Sequence, residues 1–229
     1  MKNKSVVIFA LVSAIAIFIA ATFAYKTVES KNIEEKMSTM NLNGAPYIRE
    51  HSITFGKNEK NVTVVEFLDP ECGSCAAFHP AVKKVLHEYN NEIQLVVRYM
   101  PNHKNSPNVV KILEAARMQG KYEETLNMVF ASQNIWGQHG NPKPHLLWNY
   151  IVQVEGLNID QLREDMNNPK FVEMMNLDMQ DAKELGVTGT PTFFVNGKKL
   201  ENLTYDALNA LVESEIYKQN HPIKNSLNN

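Results

Sequence analysis

Residues 61–101 constrain this chain more tightly than any other stretch. Asn61–Leu68 (NVTVVEFL) is β-branched and mostly apolar, the pattern of a strand buried on both faces. Pro70-Glu71 breaks it. From Gly73 to about Tyr89, Ala77, Phe78, Ala81, Val82, Val85 and Leu86 recur at helical spacing. Glu92–Met100 (EIQLVVRYM) then predicts a second strand, stopped by Pro101. Strand, helix and strand joined this closely make a βαβ unit, for which parallel pairing and a right-handed crossover are expected.

Downstream the pattern is helical. Ser106-Pro107 reads as an N-cap with proline at the first helical position, and Val109, Val110, Leu113, Ala116 and Met118 line one face as far as Gly120. Tyr122, Leu126, Val129 and Phe130 mark a helix to about Gln133, and Trp136–Pro144 reads as a Gly- and Pro-containing loop. Helical patterns follow over His145–Val154, Ile159–Met166 and Phe171–Leu185. Thr192–Val195 (TFFV) restores a strand, Asn196-Gly197 signals a hairpin, and Lys198–Leu200 is the return strand. Thr204 caps a last helix with Leu208, Leu211, Val212 and Ile216 on its inner side. The expected fold is α/β: β-α-β, a helical insertion over about 105–168, then α-β-β-α, in a domain spanning 51–219 with a frayed tail at 220–229.

Lys2 and Lys4 precede Ser5–Tyr25, an uncharged and mostly apolar run. It is long enough to cross a bilayer core of roughly 30 Å, and basic residues before it favour export of the chain beyond it. Two readings stay open for residues 1–25, an anchor over Val6–Tyr25 and a cleaved signal peptide for which Thr22-Phe23-Ala24 is a middling cleavage match. Either places the domain outside the cytoplasm. Residues 26–50 read as a polar linker. The formal net charge of −2 on 229 residues gives no electrostatic case for nucleic acid.

The chain has two cysteines, Cys72 and Cys75. A disulfide closing so short a loop removes little chain entropy, which favours chemistry over structure. Cys72 stands where a helix begins, and the orphan N–H groups there stabilise an anion. A Cys72 thiolate would attack, and Cys75, one turn deeper, would resolve the mixed disulfide. The same pair could instead be half a zinc site, a copper carrier, an inert pair or a peroxide-reactive thiol. Zinc needs further ligands, and only His79 stands nearby. Glu66, in an apolar strand, is a candidate buried acid with a raised pKa that accepts a proton from Cys75; the alternative is a solvent-facing edge residue. Pro80 must kink its helix. Pro191, before a buried strand, is a candidate cis peptide. Trp136-Gly137-Gln138-His139 reads first as an aromatic anchoring its loop and, less strongly, as part of a substrate groove, for which His103 is another weak candidate.

Val65-Glu66-Phe67, Cys72-Gly73-Ser74-Cys75, Pro80 and Gly189-Thr190-Pro191-Thr192-Phe193-Phe194-Val195-Asn196-Gly197 resemble the landmarks of the thioredoxin superfamily, in its order. The helical stretch before Pro191 is similar to the insertion of DsbA-type oxidoreductases. The resemblance implies a thioredoxin fold and disulfide exchange with exported proteins, with no cofactor beyond the redox disulfide Cys72–Cys75. It further implies catalytic roles for Cys72, Cys75, Glu66 and Pro191, substrate contacts at Thr190, Gly73 and Ser74, and a redox partner protein in the membrane or envelope. Glu71 replaces the tryptophan of thioredoxins, and Gly73-Ser74 replaces the Pro-His of DsbA. With no histidine between the cysteines and with Asp69 and Glu71 close by, like charge should disfavour the thiolate, so a pair less oxidising than DsbA is expected.

Overall fold

The computed structural model describes residues 45–221 together with Thr22. The expectations for the anchor or signal, for most of the linker and for the tail beyond residue 221 lie outside the described residues. Among the described residues no helix is long and apolar enough to cross a membrane.

Among the described residues, Tyr47 to His221 form one compact unit. Its sheet has five strands: β1 (Ile53–Phe55), β2 (Val62–Leu68), β3 (Ile93–Tyr99), β4 (Thr192–Val195) and β5 (Lys198–Lys199), in the order β1-β3-β2-β4-β5. β2 and β3 pair in parallel, with Val64 opposite Leu95 and Glu66 opposite Val97. The crossover between them is helix α1 (Gly73–Tyr89), with Pro80 inside it. β4 runs antiparallel to β2 and β5 antiparallel to β4. Every residue of β2 is buried, because strands pair on both of its edges and side chains cover both of its faces. β1, three residues long and antiparallel to β3, gave no recognisable pattern in the sequence.

Helices α2 (Ser106–Met118), α3 (Tyr122–Ala131), α4 (Gln133–Trp136), α5 (Trp148–Ile151) and α6 (Ile159–Asp165) fill the connection after β3, and α7 (Lys170–Glu184) leads into β4. The expected helix over His145–Val154 is instead a 3-10 turn at Pro144–Leu147 followed by the single turn of α5. The last helix, α8 (Tyr205–Asn220), is capped as expected, the Thr204 side chain accepting from the Ala207 N–H. The Ser106 hydroxyl does not cap α2; it donates to the Asp69 carboxylate, and Asn105 holds the cap position.

The two faces of the sheet are stabilised differently. Val62, Val64, Leu68, Leu95, Val97 and Phe193 join one large apolar core with Val82, Val85, Leu113 and Val212 from the helices. The opposite face carries Arg98, fully buried in a strand that otherwise reads as apolar. Its guanidinium donates to Asp178 at 2.7 Å, to Asp181 at 2.5 Å and to the Tyr47 carbonyl at 3.1 Å. Arg49 adds two further hydrogen bonds to Asp181, at 2.8 and 2.7 Å, and His51 Nε2 lies 2.6 Å from Asp178. Tyr47 and Arg49, read from sequence as linker, are therefore tied into the fold ahead of the expected start at His51. A charged clamp, rather than an apolar seam, ties α7 and the incoming chain to β3.

Removing one partner of such a cluster leaves buried charge uncompensated, which typically costs about 3–5 kcal/mol. Arg98→Met is accordingly expected to lower unfolding stability by roughly that amount. Urea denaturation of the variant beside the unaltered chain measures it, and a loss under about 1 kcal/mol would show that the clamp is dispensable.

Candidate active site

Cys72 ends the turn after β2 and is the N-cap of α1, with φ −74° and ψ 120°. Its N–H donates to the Asp69 carbonyl at 3.1 Å, and its own carbonyl accepts from the Ala76 N–H at 3.2 Å as the helix starts. The residue is 9% exposed, whereas Cys75, one turn on, is fully buried. Gly73 and Ser74 are exposed at the helix tip between them. The Thr190–Pro191 peptide bond is cis, and Cys72 Sγ lies 3.2 Å from the Thr190 carbonyl oxygen. The chain thus brings Cys72, Cys75, Thr190 and Pro191 together from two segments more than a hundred residues apart in sequence.

Electrostatics separate the two sulfurs. A hydrogen bond from the Cys75 thiol, with contributions from the Thr190 side chain and the backbone N–H groups of Cys75 and Ser74, outweighs burial and brings Cys72 down to about 5. The Thr190 carbonyl can only accept, so that contact favours the protonated sulfur and weakens when the thiolate forms. Burial, the Cys72 hydrogen bond and the nearby Glu66 charge push Cys75 far above its ordinary value. At neutral pH one sulfur is therefore a thiolate and its neighbour a thiol.

Glu66 faces the apolar core and is 3% exposed, not at a solvent-facing edge. Burial pushes its carboxyl up to about 8. It borders a cavity of about 370 Å³ that also touches Phe55, His79, Lys83, Leu86 and Leu126. The His79 ring packs on Phe130 with centroids 5.0 Å apart, and its Nε2 lies 2.8 Å from Asn127 Oδ1. Among the described residues no group of three or more His, Cys, Asp and Glu side chains is arranged to hold a metal ion.

Asp69 and Glu71 are not among the largest influences on Cys72, and both carboxylates are hydrogen-bonded within the turn and to the loop after β3. Glu71 accepts from the Asn105 N–H and side-chain amide at 2.8 and 2.7 Å. Asp69, fully buried, accepts from the backbone N–H groups of Glu71, Asn102 and His103, from His103 Nδ1 and from the Ser106 hydroxyl. From the insertion, Gln133 donates to the carbonyls of Pro70 and Cys72, both at 3.1 Å. Gln133, Asn105 and Ser106 carried no functional signal in the sequence, since each acts by bonding backbone or carboxylate atoms far away along the chain. Trp136 is wholly buried, its indole N–H bonded to the Val129 carbonyl at 3.0 Å, so it anchors the insertion and does not line the groove.

Residues 49–214 match the thioredoxin family. The chain belongs to that family. A solved thioredoxin-like oxidoreductase from Silicibacter pomeroyi is 27% identical and superposes with a TM-score of 0.63, over 73% of this chain and 94% of that one. The alpha-DsbA1 of Wolbachia pipientis superposes with a TM-score of 0.66 over 75% and 94% at 19% identity, a likeness of fold. A Rickettsia conorii relative named as a protein-disulfide oxidoreductase is 26% identical over 185 residues, 79% of this chain and 66% of that protein. A Na(+)/H(+) antiporter NhaA of Herminiimonas arsenicoxydans is 31% identical over 152 residues, 66% of this chain and 23% of the antiporter. This chain thus spans about a quarter of the length of the antiporter relatives it matches.

The raised carboxyl of Glu66 has a pH signature. Folding holds the Glu66 proton up to about pH 8, whereas an unfolded glutamate releases it near 4.5. In that window the folded state binds more protons, so this group's contribution to stability falls as pH rises from about 4.5 to about 8. Glu66→Gln removes the fall and is expected to gain on the unaltered chain by a few kcal/mol across the window, at about 1.4 kcal/mol per unit. Denaturant titrations at pH 5 and pH 8 compare them, and a pH-independent difference would place Glu66 in contact with water.

Proposed function

We propose that this chain is an extracytoplasmic thiol–disulfide oxidoreductase acting on exported proteins through Cys72 and Cys75. The observation that carries the reading is the asymmetric pair itself: a thiolate-favouring Cys72 at a helix tip, against a cis Thr190–Pro191 bond, over a buried Cys75 thiol. The thioredoxin family match and the protein-disulfide oxidoreductase name of a relative support it.

In the reducing direction, the Cys72 thiolate attacks one sulfur of a substrate disulfide. A Cys72–substrate bond forms and the second substrate sulfur leaves as thiolate. Glu66 in its ionised form, populated as pH approaches its value of about 8, takes the Cys75 proton directly or through water, and Cys75 attacks Cys72 Sγ. The substrate leaves as a dithiol, two electrons richer, and the Cys72–Cys75 disulfide remains. The reverse sequence oxidises a dithiol. Pro191 and Thr190 form the wall against which the substrate chain lies, with Thr190 backbone adding it as a short strand and Gly73-Ser74 leaving the approach open. No further cofactor is required. A redox partner in the membrane or envelope would return the pair to its starting state, and Val6–Tyr25 would hold the domain at the membrane.

A Cys72 value of about 5 falls between those of thioredoxin, about 7, and DsbA, about 3.5. A stabilised thiolate stabilises the reduced form, so the pair should be more oxidising than thioredoxin and less so than DsbA. Equilibration in glutathione buffers is expected to give a potential between about −270 and −120 mV. Cys75→Ala should accumulate mixed disulfides at Cys72 that mass spectrometry can identify, while Cys72→Ser should abolish insulin reduction. A Cys75→Ala protein that captures no thiol protein in the envelope would overturn the function proposed.

A further inference from the structure

A groove of about 680 Å³ opens beside Cys72, between the tip of α1 and the loop after α4, and His103 enters it from the β3–α2 connection. The imidazole is held in place. Its Nδ1 lies 2.7 Å from Asp69 Oδ2, which also accepts the backbone N–H groups of Asn102 and His103. Asp69 at the same time binds the Glu71 N–H through Oδ1 and the Cys72 N–H through its carbonyl. One buried residue therefore fixes both the histidine and the turn that carries the sulfur. Against an acceptor, Nδ1 must be the N–H, which leaves Nε2 as the atom that gains or loses a proton. The side chain is 40% exposed, so water reaches it.

We propose that His103 is a positioning residue whose imidazolium, held by Asp69, stabilises the Cys72 thiolate from outside the CxxC motif. It supplies the cation that Gly73-Ser74 lacks. This rests on the reading of Cys72 as the attacking thiolate. The charged and titratable groups around His103 are Asp69, Glu71 and Cys72 from the turn, Lys104 beside it and His139 across the groove. Burial disfavours the imidazolium, but the hydrogen bond to Asp69 and then the charges of Asp69, Cys72 and Glu71 overcome it and raise His103 above its ordinary value. The coupling is reciprocal. Oxidation to the Cys72–Cys75 disulfide removes the thiolate charge and should lower His103.

The test uses the full reduced chain and needs no substrate. Cys72 alkylation by iodoacetamide is followed from pH 3 to 9 by peptide mass spectrometry in the unaltered protein, His103→Gln and His103→Arg. Histidine ring-proton NMR follows His103 in the reduced and oxidised unaltered protein. His103→Gln is expected to raise the Cys72 midpoint by about one unit, slowing alkylation roughly tenfold below it, the size of effect expected of a nearby opposite charge. His103→Arg should keep the midpoint low, and the His103 titration should move down on oxidation. An unchanged midpoint in His103→Gln overturns the proposal. So does a shift that His103→Arg fails to restore while His103 titrates alike in both redox forms, because the loop would then act by shape alone. A protein with this charge coupling that exchanges no disulfides would count against the proposed function and leave the role of His103 standing.

Discussion

The carboxylate of Asp69 is the interaction on which the site depends. β2 ends at Leu68, and the chain must turn sharply to start α1 five residues later. That turn leaves backbone N–H groups with no strand or helix partner, buried where water cannot satisfy them. Asp69 accepts from Glu71, Asn102 and His103 backbone, from the His103 ring and from Ser106, joining the ends of β2 and β3 in one hydrogen-bonded knot. Gln133 closes the knot from the insertion by bonding the carbonyls of Pro70 and Cys72. The sulfur at the helix tip is only as well placed as this knot is rigid.

Burial works in opposite senses on the two sides of the sheet. On one face, Glu66 and Cys75 lie in an apolar core, and burial favours the protonated form of each. On the other, Arg98, Asp178 and Asp181 lie equally deep but are mutually compensated, so their charge is structural. A buried acid keeps its proton when its partner is missing and serves as a strut when its partner is present. The proposed active site lies on the face without such compensation.

The βαβ unit, the strand after Pro191 and the Thr204-capped helix were legible because each is a local pattern: β-branched runs, helical spacing and turn residues. Glu66 was legible as a buried acid because a carboxyl inside an apolar strand is anomalous by itself. Arg98 stands in a strand in the same way, but its meaning required Asp178 and Asp181, one helical turn apart and some eighty residues downstream. β1 was too short to show a period. The charges of Asp69 and Glu71 were visible, yet their partners in the 102–106 loop were not, and the largest influences on Cys72 come from Cys75, burial and Thr190 instead.

The sequence by itself determined where a nucleophilic sulfur could sit, because a strand, a break and a helix in succession fix the helix tip that favours an anion. It also determined that a second sulfur lay one turn deeper and that an acid stood in the strand behind. Only the tertiary structure decided which charges reach the sulfur. Electrostatic effects follow distance and burial in space, and the groups that matter, Thr190, Gln133 and His103, reach Cys72 across the chain rather than along it.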